Sequence, residues 1–305
     1  MSCPTAPAPH CAADASRALA HASTVVLGAG DWPTLFDALC ARFPAIERVQ
    51  WQQRIVEGKV LDQRQQPIAL TTPHRAGTRL YYFREVTHER PVPFSAQIRY
   101  QDQHLLVVDK PAFLPVIPGG HFVTQTLQYR LMQQLDNPDL QPLHRLDRHT
   151  SGLVLFSLDR RSRAQYQALF AQRAIDKTYE AIAPPLPALR FPHTRRSRIE
   201  RDTQFFRSQE VAGPANAETR IEVMARSTQR WYYRLQPVTG KKHQLRLHMA
   251  ALGAPLENDA FYPRVDDALA EDYQRPLQLL ARSLAFTDPL SGQHHHFSSQ
   301  LTLAW

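Results

Sequence analysis

The chain has 305 residues, enough for about two domains, because single hydrophobic cores seldom grow past roughly 250–300 residues. It is 43% hydrophobic and 21% charged, which is typical of a folded globular protein. No segment approaches the roughly 20 apolar residues of a membrane-spanning helix, so a helical membrane protein is excluded. The net charge of +8 favours a negatively charged partner.

Arginine supplies most of the positive charge, since only five of the 36 basic residues are lysines. The planar guanidinium binds phosphate through two hydrogen bonds and stacks on bases, so this bias favours nucleic acid as a partner. A GC-rich genome gives the same bias without any nucleic acid. The charge alone therefore leaves both explanations open.

The cysteines favour a reducing compartment. Cys3, Cys11 and Cys40 are an odd-numbered, clustered set, which argues against a secreted disulfide framework. The first 20 residues also lack the basic-then-apolar order of a signal peptide. We therefore predict a cytoplasmic protein. Cys3, His10 and Cys11 lack a second ligand pair, so no zinc site is predicted there.

The N-terminal part predicts a leader and a small domain. Residues 1–24 show no sustained period and predict a disordered leader, and residues 25–88 predict an ordered domain. Apolar residues at helical spacing indicate its first helix: Phe36, Leu39, Cys40 and Phe43. Asp31 is the predicted N-cap. A second helix is predicted over residues 47–57, stopped by Gly58, with strands after it.

Two short helices followed by strands, with Arg54 and Lys59 near the turn, resemble the S4-like RNA-binding domain. The resemblance covers about 55 residues and implies a small α/β RNA-binding domain. The chain departs from that family after Gly58-Lys59-Val60, where Leu61-Asp62-Gln63 replaces the usual Val-Asn-Gly turn. An ordinary small helical cap is the alternative.

The remainder predicts a proline-containing linker over residues 89–96 and one long domain over residues 97–305. The strands are predicted over residues 104–109, 152–158, 178–183, 219–225, 231–236, 279–286 and 301–305. The helices are predicted over residues 126–135, 161–173 and 242–252. Many strands with few, unevenly placed helices predict an α+β fold, with a mixed or mainly antiparallel central sheet and flanking helices.

The densest polar cluster is His144-Arg145-Leu146-Asp147-Arg148-His149-Thr150-Ser151-Gly152, which leads into a predicted buried strand. An Asp between arginines stays ionised, because nearby positive charge favours the carboxylate. A structural ion-pair cluster and a functional carboxylate both fit this pattern when the residues are considered alone.

This cluster resembles the His-Arg-Leu-Asp-x-x-Thr-Ser-Gly signature of the RluA-type pseudouridine synthases. Lys177-Thr178-Tyr179-Glu180-Ala181 resembles the family's Lys-x-Tyr-x-Ala strand. The run from Thr239 to His248 resembles its Thr-Gly-Arg-x-His-Gln-Ile-Arg-Val-His segment. The resemblance covers about residues 97–305. Asn258 and Pro263 stand where the family commonly has glycine. Asn tolerates the left-handed backbone, so the turn at Asn258 is expected to persist, whereas Pro263 is a departure at the exit of the loop.

The resemblance implies an RNA pseudouridine synthase, an isomerase that needs no cofactor and no metal. Asp147 is then the catalytic carboxylate, and Arg246 pairs with it. Tyr179 stacks on the target base and is the candidate for the proton step at carbon 5. Arg145 fills the gap that the extruded uridine leaves in the RNA. Further substrate-binding residues are expected in the same motifs: His144, Arg148, Thr150, Lys177, Lys241, Lys242 and His243.

Two other polar stretches carry weaker predictions. The arginines between residues 190 and 201 predict an inserted basic loop, either solvated or in contact with RNA phosphate. His294-His295-His296 resembles a metal-binding tract, but it lacks distant ligands, so a polar hairpin is predicted.

The sequence thus predicts an RNA-modifying enzyme that acts on ribosomal or transfer RNA. The basic charge and the S4-like resemblance favour these RNA partners, and a monomer is the default state. The alternative is a non-catalytic RNA-binding or ribosome-assembly factor on the same fold. An unrelated hydrolase is poorly supported, because no Ser-His-Asp spacing or paired carboxylate accompanies Asp147.

Overall fold

The computed structural model describes residues 22–83, 89–204 and 206–305. The chain divides into two compact units, Met1–His88 and Glu89–Trp305. Most of the predicted leader lies outside the described residues, but Ser23 and Thr24 already belong to the first strand. Within the described ranges, no helix has the length and apolarity required to cross a membrane.

The N-terminal unit has a three-stranded antiparallel sheet and two helices. Its elements are β1 (Ser23–Val26), α1 (Leu35–Arg42), α2 (Arg48–Val56), β2 (Val60–Leu61) and β3 (Arg79–Tyr82), with the sheet order β1-β3-β2. Trp51 of α2 is completely buried in its core.

Both predicted helices of this unit form, but the predicted N-cap of the first is wrong. Thr34, not Asp31, caps α1, and its side chain accepts a hydrogen bond from the backbone N–H of Asp37. A threonine directly before the first turn reaches an orphan N–H, whereas Asp31 lies too far upstream. Gly58 follows α2 with a φ of 71°, the left-handed conformation of a helix stop.

The second unit is built on an eleven-stranded sheet. Its strands are β4 (Gln97–Gln101), β5 (Leu105–Lys110), β6 (Gln141–Pro142), β7 (Ser151–Ser157), β8 (Asp176–Ala183), β9 (His193–Arg201), β10 (Ser208–Val211), β11 (Ala217–Arg226), β12 (Trp231–Pro237), β13 (Leu279–Thr287) and β14 (His294–Ser298). Its helices are α3 (Leu127–Leu135), α4 (Arg163–Ala171), α5 (Gln244–Ala251) and α6 (Asp267–Ala270).

The strand order is β10-β9-β11-β12-β8-β13-β7-β5-β4, with β14 paired to β13 and β6 paired to β7. The β13–β7 pair is parallel, and the other paired strands of the described sheet are antiparallel. The predicted α+β class with a mainly antiparallel sheet is therefore confirmed.

Two strand predictions in this unit are wrong. The basic stretch predicted as a loop forms β9, the second strand from one edge of the sheet, where pairing with β10 and β11 satisfies its backbone. Its arginines meet carboxylates on neighbouring strands, as in Arg196–Glu218 at 2.9 Å. Residues 301–305 have no regular secondary structure. The last strand is instead β14, which contains the three predicted hairpin histidines.

One row of paired residues sets the geometry of the centre of the sheet. Ala281 of β13 lies opposite Gly152 of β7 on one side and opposite Tyr179 of β8 on the other. Gly152 has a φ of 113°, and a Cβ atom there would lie 2.3 Å from the carbonyl oxygen of Ala281. Because glycine lets the strands approach, the turn before β7 lies level with Tyr179.

Helix α5 packs its apolar side on the same sheet. Leu245 and Met249 are buried against Tyr233 and Leu235 of β12. Burial of side chains of this size contributes about 1.5–3 kcal/mol each. This packing fixes the first turn of α5, and with it Arg246, above the central strands.

Candidate active site

A cavity of about 990 Å³ opens on the second unit, between the turn before β7, strand β8 and the start of α5. Asp147, Tyr179 and Arg246 all line it. These side chains come from three separate segments of the chain, and the fold brings them to one place. The volume lies at the upper end of the range for small-molecule sites, roughly 300–1,000 Å³.

Asp147 lines this cavity from a tight turn, which the Thr150 N–H closes by donating to the Asp147 carbonyl at 3.1 Å. Its side chain is 26% exposed, and Oδ2 lies 3.3 Å from Nη1 of Arg246. The Asp147 carboxylate is therefore both open to the cavity and paired with a cation.

The charges around Asp147 keep it ionised. Burial alone raises a carboxyl pKa, but three effects hold the pKa of Asp147 below its ordinary value of 3.8: the charge that His243 carries when it is protonated, the charge of Arg246, and the hydrogen bond from Arg246. Burial lowers the pKa of His243 itself to about 4, so His243 is neutral at pH 7. Arg246 is therefore the cation in direct contact with Asp147 at neutral pH.

Arg246 is almost completely buried and has a second carboxylate partner. Its Nε and Nη2 donate to the two carboxylate oxygens of Asp259 at 2.8 and 2.6 Å, while Nη1 donates to Asp147. Burial disfavours its charge, but the hydrogen bonds and charge of Asp259, with the charge of Asp147, raise the pKa of Arg246 above its ordinary value. Asp259 thus fixes the plane of the guanidinium and aims the remaining donor at Asp147.

Tyr179 lies on β8 and packs against the apolar cluster under the cavity. Burial, with the nearby negative charge of Asp147, raises the pKa of the Tyr179 hydroxyl above its ordinary value. The phenol is therefore protonated at neutral pH. Its position fits stacking on a base, but a protonated hydroxyl is not a ready proton acceptor.

The two histidines expected to bind substrate are both held by the protein. Nε2 of His144 accepts the backbone N–H of Leu155 at 3.1 Å, and its ring stacks on Phe170 at 4.8 Å. His243 is 7% exposed, and its Nδ1 lies 3.0 Å from the hydroxyl of Tyr262. Nε2 of His243 lies 3.8 Å from Oδ1 of Asp147, so this histidine contacts the centre of the site.

The two arginines beside Asp147 have different surroundings. Arg145 is exposed on the cavity wall. Arg148 binds both oxygens of Glu271 at 2.6 and 2.8 Å, and it also stacks on Phe122. The guanidinium of Arg148 is thus engaged in tying the Asp147 turn to residues after α6. The structure does not favour the expectation that Arg148 binds RNA.

The remaining expected residues form the cavity wall and rim. Thr150 is buried below the turn. Lys241 and Lys242 are exposed at the rim. Lys177 is half-buried, and burial together with the charge of Arg173 lowers its pKa. The rim therefore carries the positive charge that a phosphate backbone requires.

Three residues that were not among the predicted site residues support the site. Asp259 binds Arg246, and Tyr262 binds His243. Lys110 is completely buried, and its Nζ donates to the carbonyls of Pro111, Leu114 and Arg148. Burial lowers the pKa of Lys110 to about 7, against the effect of Asp147. A signal for Asp259 existed, because a buried arginine requires a carboxylate partner.

Within the described ranges, no group of three or more His, Cys, Asp or Glu side chains is arranged to hold a metal. His294 and His296 are exposed on β14, and the ring of His295 between them stacks on Phe297 at 5.3 Å. Cys3, His10 and Cys11 lie outside the described residues.

The comparisons with known proteins agree on one family. Residues 104–251 match the family model for RNA pseudouridylate synthase. An uncharacterized RNA pseudouridine synthase of Synechocystis is 32% identical over 232 residues, covering 75% of this chain and 79% of that protein. The dual-specificity RNA pseudouridine synthase RluA of Vibrio vulnificus is 33% identical over 213 residues, covering 64% of this chain and 79% of that protein.

The solved structures agree on the fold. Human RNA pseudouridylate synthase domain containing 1 superposes with a TM-score of 0.55 at 22% identity, covering 67% of this chain and 82% of that one. Human RNA pseudouridylate synthase domain containing 4 gives 0.51 at 26% identity, covering 68% and 88%. The chain therefore belongs to the RluA-type RNA pseudouridine synthases, isomerases that convert uridine in RNA to pseudouridine.

Proposed function

We propose that Asp147 is the nucleophile of this isomerase and that Arg246 holds it ionised and aimed. The observation that carries the proposal is the position of the Asp147 carboxylate, open to the cavity and 3.3 Å from a buried guanidinium. A carboxylate nucleophile divides the breaking and remaking of the glycosidic bond into two easier steps. The isomerisation is redox-neutral and adds no external group, so these residues suffice without a cofactor.

The substrate uridine enters the cavity extruded from the RNA. A base inside a stacked helix is out of reach of Asp147, so extrusion is required and costs a few kcal/mol. Stacking on Tyr179 recovers about 1–3 kcal/mol of this. Arg145, exposed beside the catalytic turn, fills the gap that the base leaves.

The RNA backbone follows the positive rim. Lys177, Lys241 and Lys242 neutralise phosphates and fix the register of the RNA, while the cavity selects the extruded base. Ribosomal RNA or transfer RNA is the substrate, with the N-terminal unit as an RNA-binding module in the S4-like manner. The protein acts as a monomer in the cytoplasm.

The test is Asp147→Asn, which keeps the size of the side chain and removes its charge and nucleophilicity. We expect loss of tritium release from RNA carrying uridine tritiated at carbon 5, with RNA affinity within about threefold of wild type, because Asp147 makes no phosphate contact in this scheme. Asp267→Asn, on an exposed position of α6, is the matched control. Full activity of Asp147→Asn would disprove the assignment of the nucleophile.

The target is found by mapping pseudouridines in total RNA from cells with and without the gene. A uridine that loses its modification identifies the substrate as ribosomal or transfer RNA. An unchanged map would favour the alternative of a non-catalytic RNA-binding factor.

A further inference from the structure

The hydroxyl of Tyr262 makes three contacts that together fix the proton of His243. The N–H of Ser208 donates to it at 2.9 Å, the carbonyl of Ser208 lies at 3.0 Å, and Nδ1 of His243 lies at 3.0 Å. A carbonyl can only accept, so the single hydroxyl hydrogen goes to Ser208. To satisfy the third contact, Nδ1 of His243 must donate to the hydroxyl oxygen. The neutral imidazole therefore carries its hydrogen on Nδ1.

Nε2 of the same ring is then an unprotonated nitrogen inside the active site. It lies 3.8 Å from Oδ1 of Asp147, and His243 lines the catalytic cavity. Two acceptors at this distance make no hydrogen bond to each other. A hydrogen on a substrate atom placed near Asp147 is therefore within reach of Nε2.

We propose that His243 is a catalytic residue whose Nε2 accepts the proton from carbon 5 of the target uracil. The inference rests on the proposed function, with Asp147 attacking carbon 1 of the ribose. The ester bond to Asp147 forms as the bond from carbon 1 to N1 breaks, and the uracil leaves with that electron pair as its N1 anion. As carbon 5 bonds to carbon 1 of the ribose, the ester bond breaks and its electron pair returns to Asp147. The carbon 5 proton moves to Nε2 and then to solvent, and N1 of the uracil takes one proton from solvent.

The charge of Asp147 makes this transfer favourable at the required moment. While the ester exists, Asp147 is uncharged, and burial beside Arg246 keeps His243 neutral. When the ester breaks, the carboxylate reappears 3.8 Å from Nε2 and stabilises an imidazolium there. The acceptor thus becomes a stronger base in the step that releases the proton.

Other groups near the ring set its resting state. Burial lowers the pKa of His243 to about 4, the carboxylates raise it, and the cations lower it further. The charged and titratable groups that face His243 are Asp147, Arg246, Lys242, Asp259 and Tyr262. At pH 7 the balance leaves Nε2 free to accept a proton, whereas the Tyr179 phenol is already protonated.

The test variant is His243→Asn, which replaces the hydrogen-bonding role of Nδ1 and removes Nε2. An Asn amide donates to Tyr262 from the position of Nδ1, and Asn tolerates the φ of 58° at this residue. It places nothing at the position of Nε2. We expect kcat to fall about 100-fold, the lower end of the range for general-base catalysis, with KM within about threefold.

Two substrates distinguish a lost proton acceptor from a distorted site. In transcripts of ribosomal and transfer RNA that contain 5-deuterouridine, we expect a primary isotope effect on kcat for His243→Asn that exceeds that of wild type. In transcripts that contain 5-fluorouridine there is no proton at carbon 5 to remove. We therefore expect wild type and variant to rearrange the fluorinated base at the same rate.

Two further variants accompany His243→Asn. His294→Asn, on the exposed face of β14, should match wild type on every substrate. Full kcat in His243→Asn, or equal slowing on both substrates, would overturn the proposal. If His243→Asn does not fold, Tyr262→Phe replaces it as the test. This change removes the hydroxyl that holds the imidazole hydrogen on Nδ1, so the hydrogen can move to Nε2. The variant must then slow only the reaction of the non-fluorinated substrate. If wild type forms no pseudouridine, the proposed function fails, not this step alone.

Discussion

Arg246 and Asp259 form a two-pronged ion pair in the interior of the protein, with both side chains at most 1% exposed. The pair uses Nε and Nη2 of the guanidinium and leaves Nη1 directed at Asp147. The flat fork of arginine makes this division possible, since a lysine ammonium has no fixed plane. The site therefore depends on geometry as well as on charge.

Replacing Arg246 in two ways separates these contributions. Arg246→Lys keeps a cation near Asp147, so the acid limb of the pH dependence of kcat/KM should stay in place while kcat falls. Arg246→Gln removes the cation, and burial then raises the pKa of Asp147. Because the proposed nucleophile must be ionised, the pH below which activity is lost should rise. Rate profiles between pH 4 and pH 8, measured by tritium release, compare the two.

Both variants should also lower stability, since each leaves Asp259 with an incomplete partner. Breaking a buried ion pair on one side costs about 3–5 kcal/mol, and Arg246→Gln should approach this value. Urea denaturation measures the loss of stability. The control is Arg226→Gln, which replaces an exposed arginine at the end of β11. An acid limb that stayed in place in Arg246→Gln would mean that Arg246 does not set the ionisation of Asp147.

Arg145 and Arg148 should respond differently to the same substitution. Arg145→Met removes an exposed cation at the cavity, so RNA affinity should fall and the slope of log affinity against log salt concentration should decrease by about one. Arg148→Met should leave that slope unchanged, because its guanidinium binds Glu271. It should instead destabilise the fold by about 1 kcal/mol, a small value since Glu271 is 43% exposed.

Salt titrations of RNA binding, combined with thermal unfolding, test this contrast. Each arginine is the matched control for the other, since they are three positions apart in one motif. A decreased salt slope in Arg148→Met would show that its ion pair opens to contact RNA.

The sequence predicted the centre of the site better than its supports. Asp147, Tyr179 and Arg246 were identifiable because each lies in a short motif with fixed neighbours. A buried arginine predicts that a carboxylate partner exists, but the sequence did not show that Asp259 is that partner or that Tyr262 binds His243, because these pairs form only once α5 and the following loop are folded together. A local pattern carries no information about which distant side chain completes a buried hydrogen bond.

Strand β9 was unpredictable for a similar reason. β9 is rich in arginine, which locally indicates a solvated loop. Pairing with β11 supplies its backbone hydrogen bonds, and contacts such as Arg195–Glu210 supply carboxylate partners for its arginines. Strand preference depends on cross-strand neighbours, and these become known only with the topology. The apolar runs of β5, β7 and β13 needed no such information, since their burial is evident from composition.

Gly152 provides a test of how the sheet positions Asp147. Gly152→Ala would place a Cβ atom 2.3 Å from the Ala281 carbonyl oxygen at a φ of 113°, so β7 and β13 must separate. We expect a loss of about 3 kcal/mol or more in the free energy of unfolding. Activity should also fall, because the turn that carries Asp147 would move relative to Tyr179 of β8.

The matched control for Gly152→Ala is Gly119→Ala. A Cβ atom there meets its nearest neighbour, the Ile117 carbonyl oxygen, at 3.9 Å, an ordinary van der Waals contact, so stability should change by less than about 0.5 kcal/mol. Urea denaturation of the two variants and tritium release by Gly152→Ala compare the effects. If Gly152→Ala matched wild type in both measurements, the close approach of β7 to β13 would not be what holds Asp147 level with Tyr179.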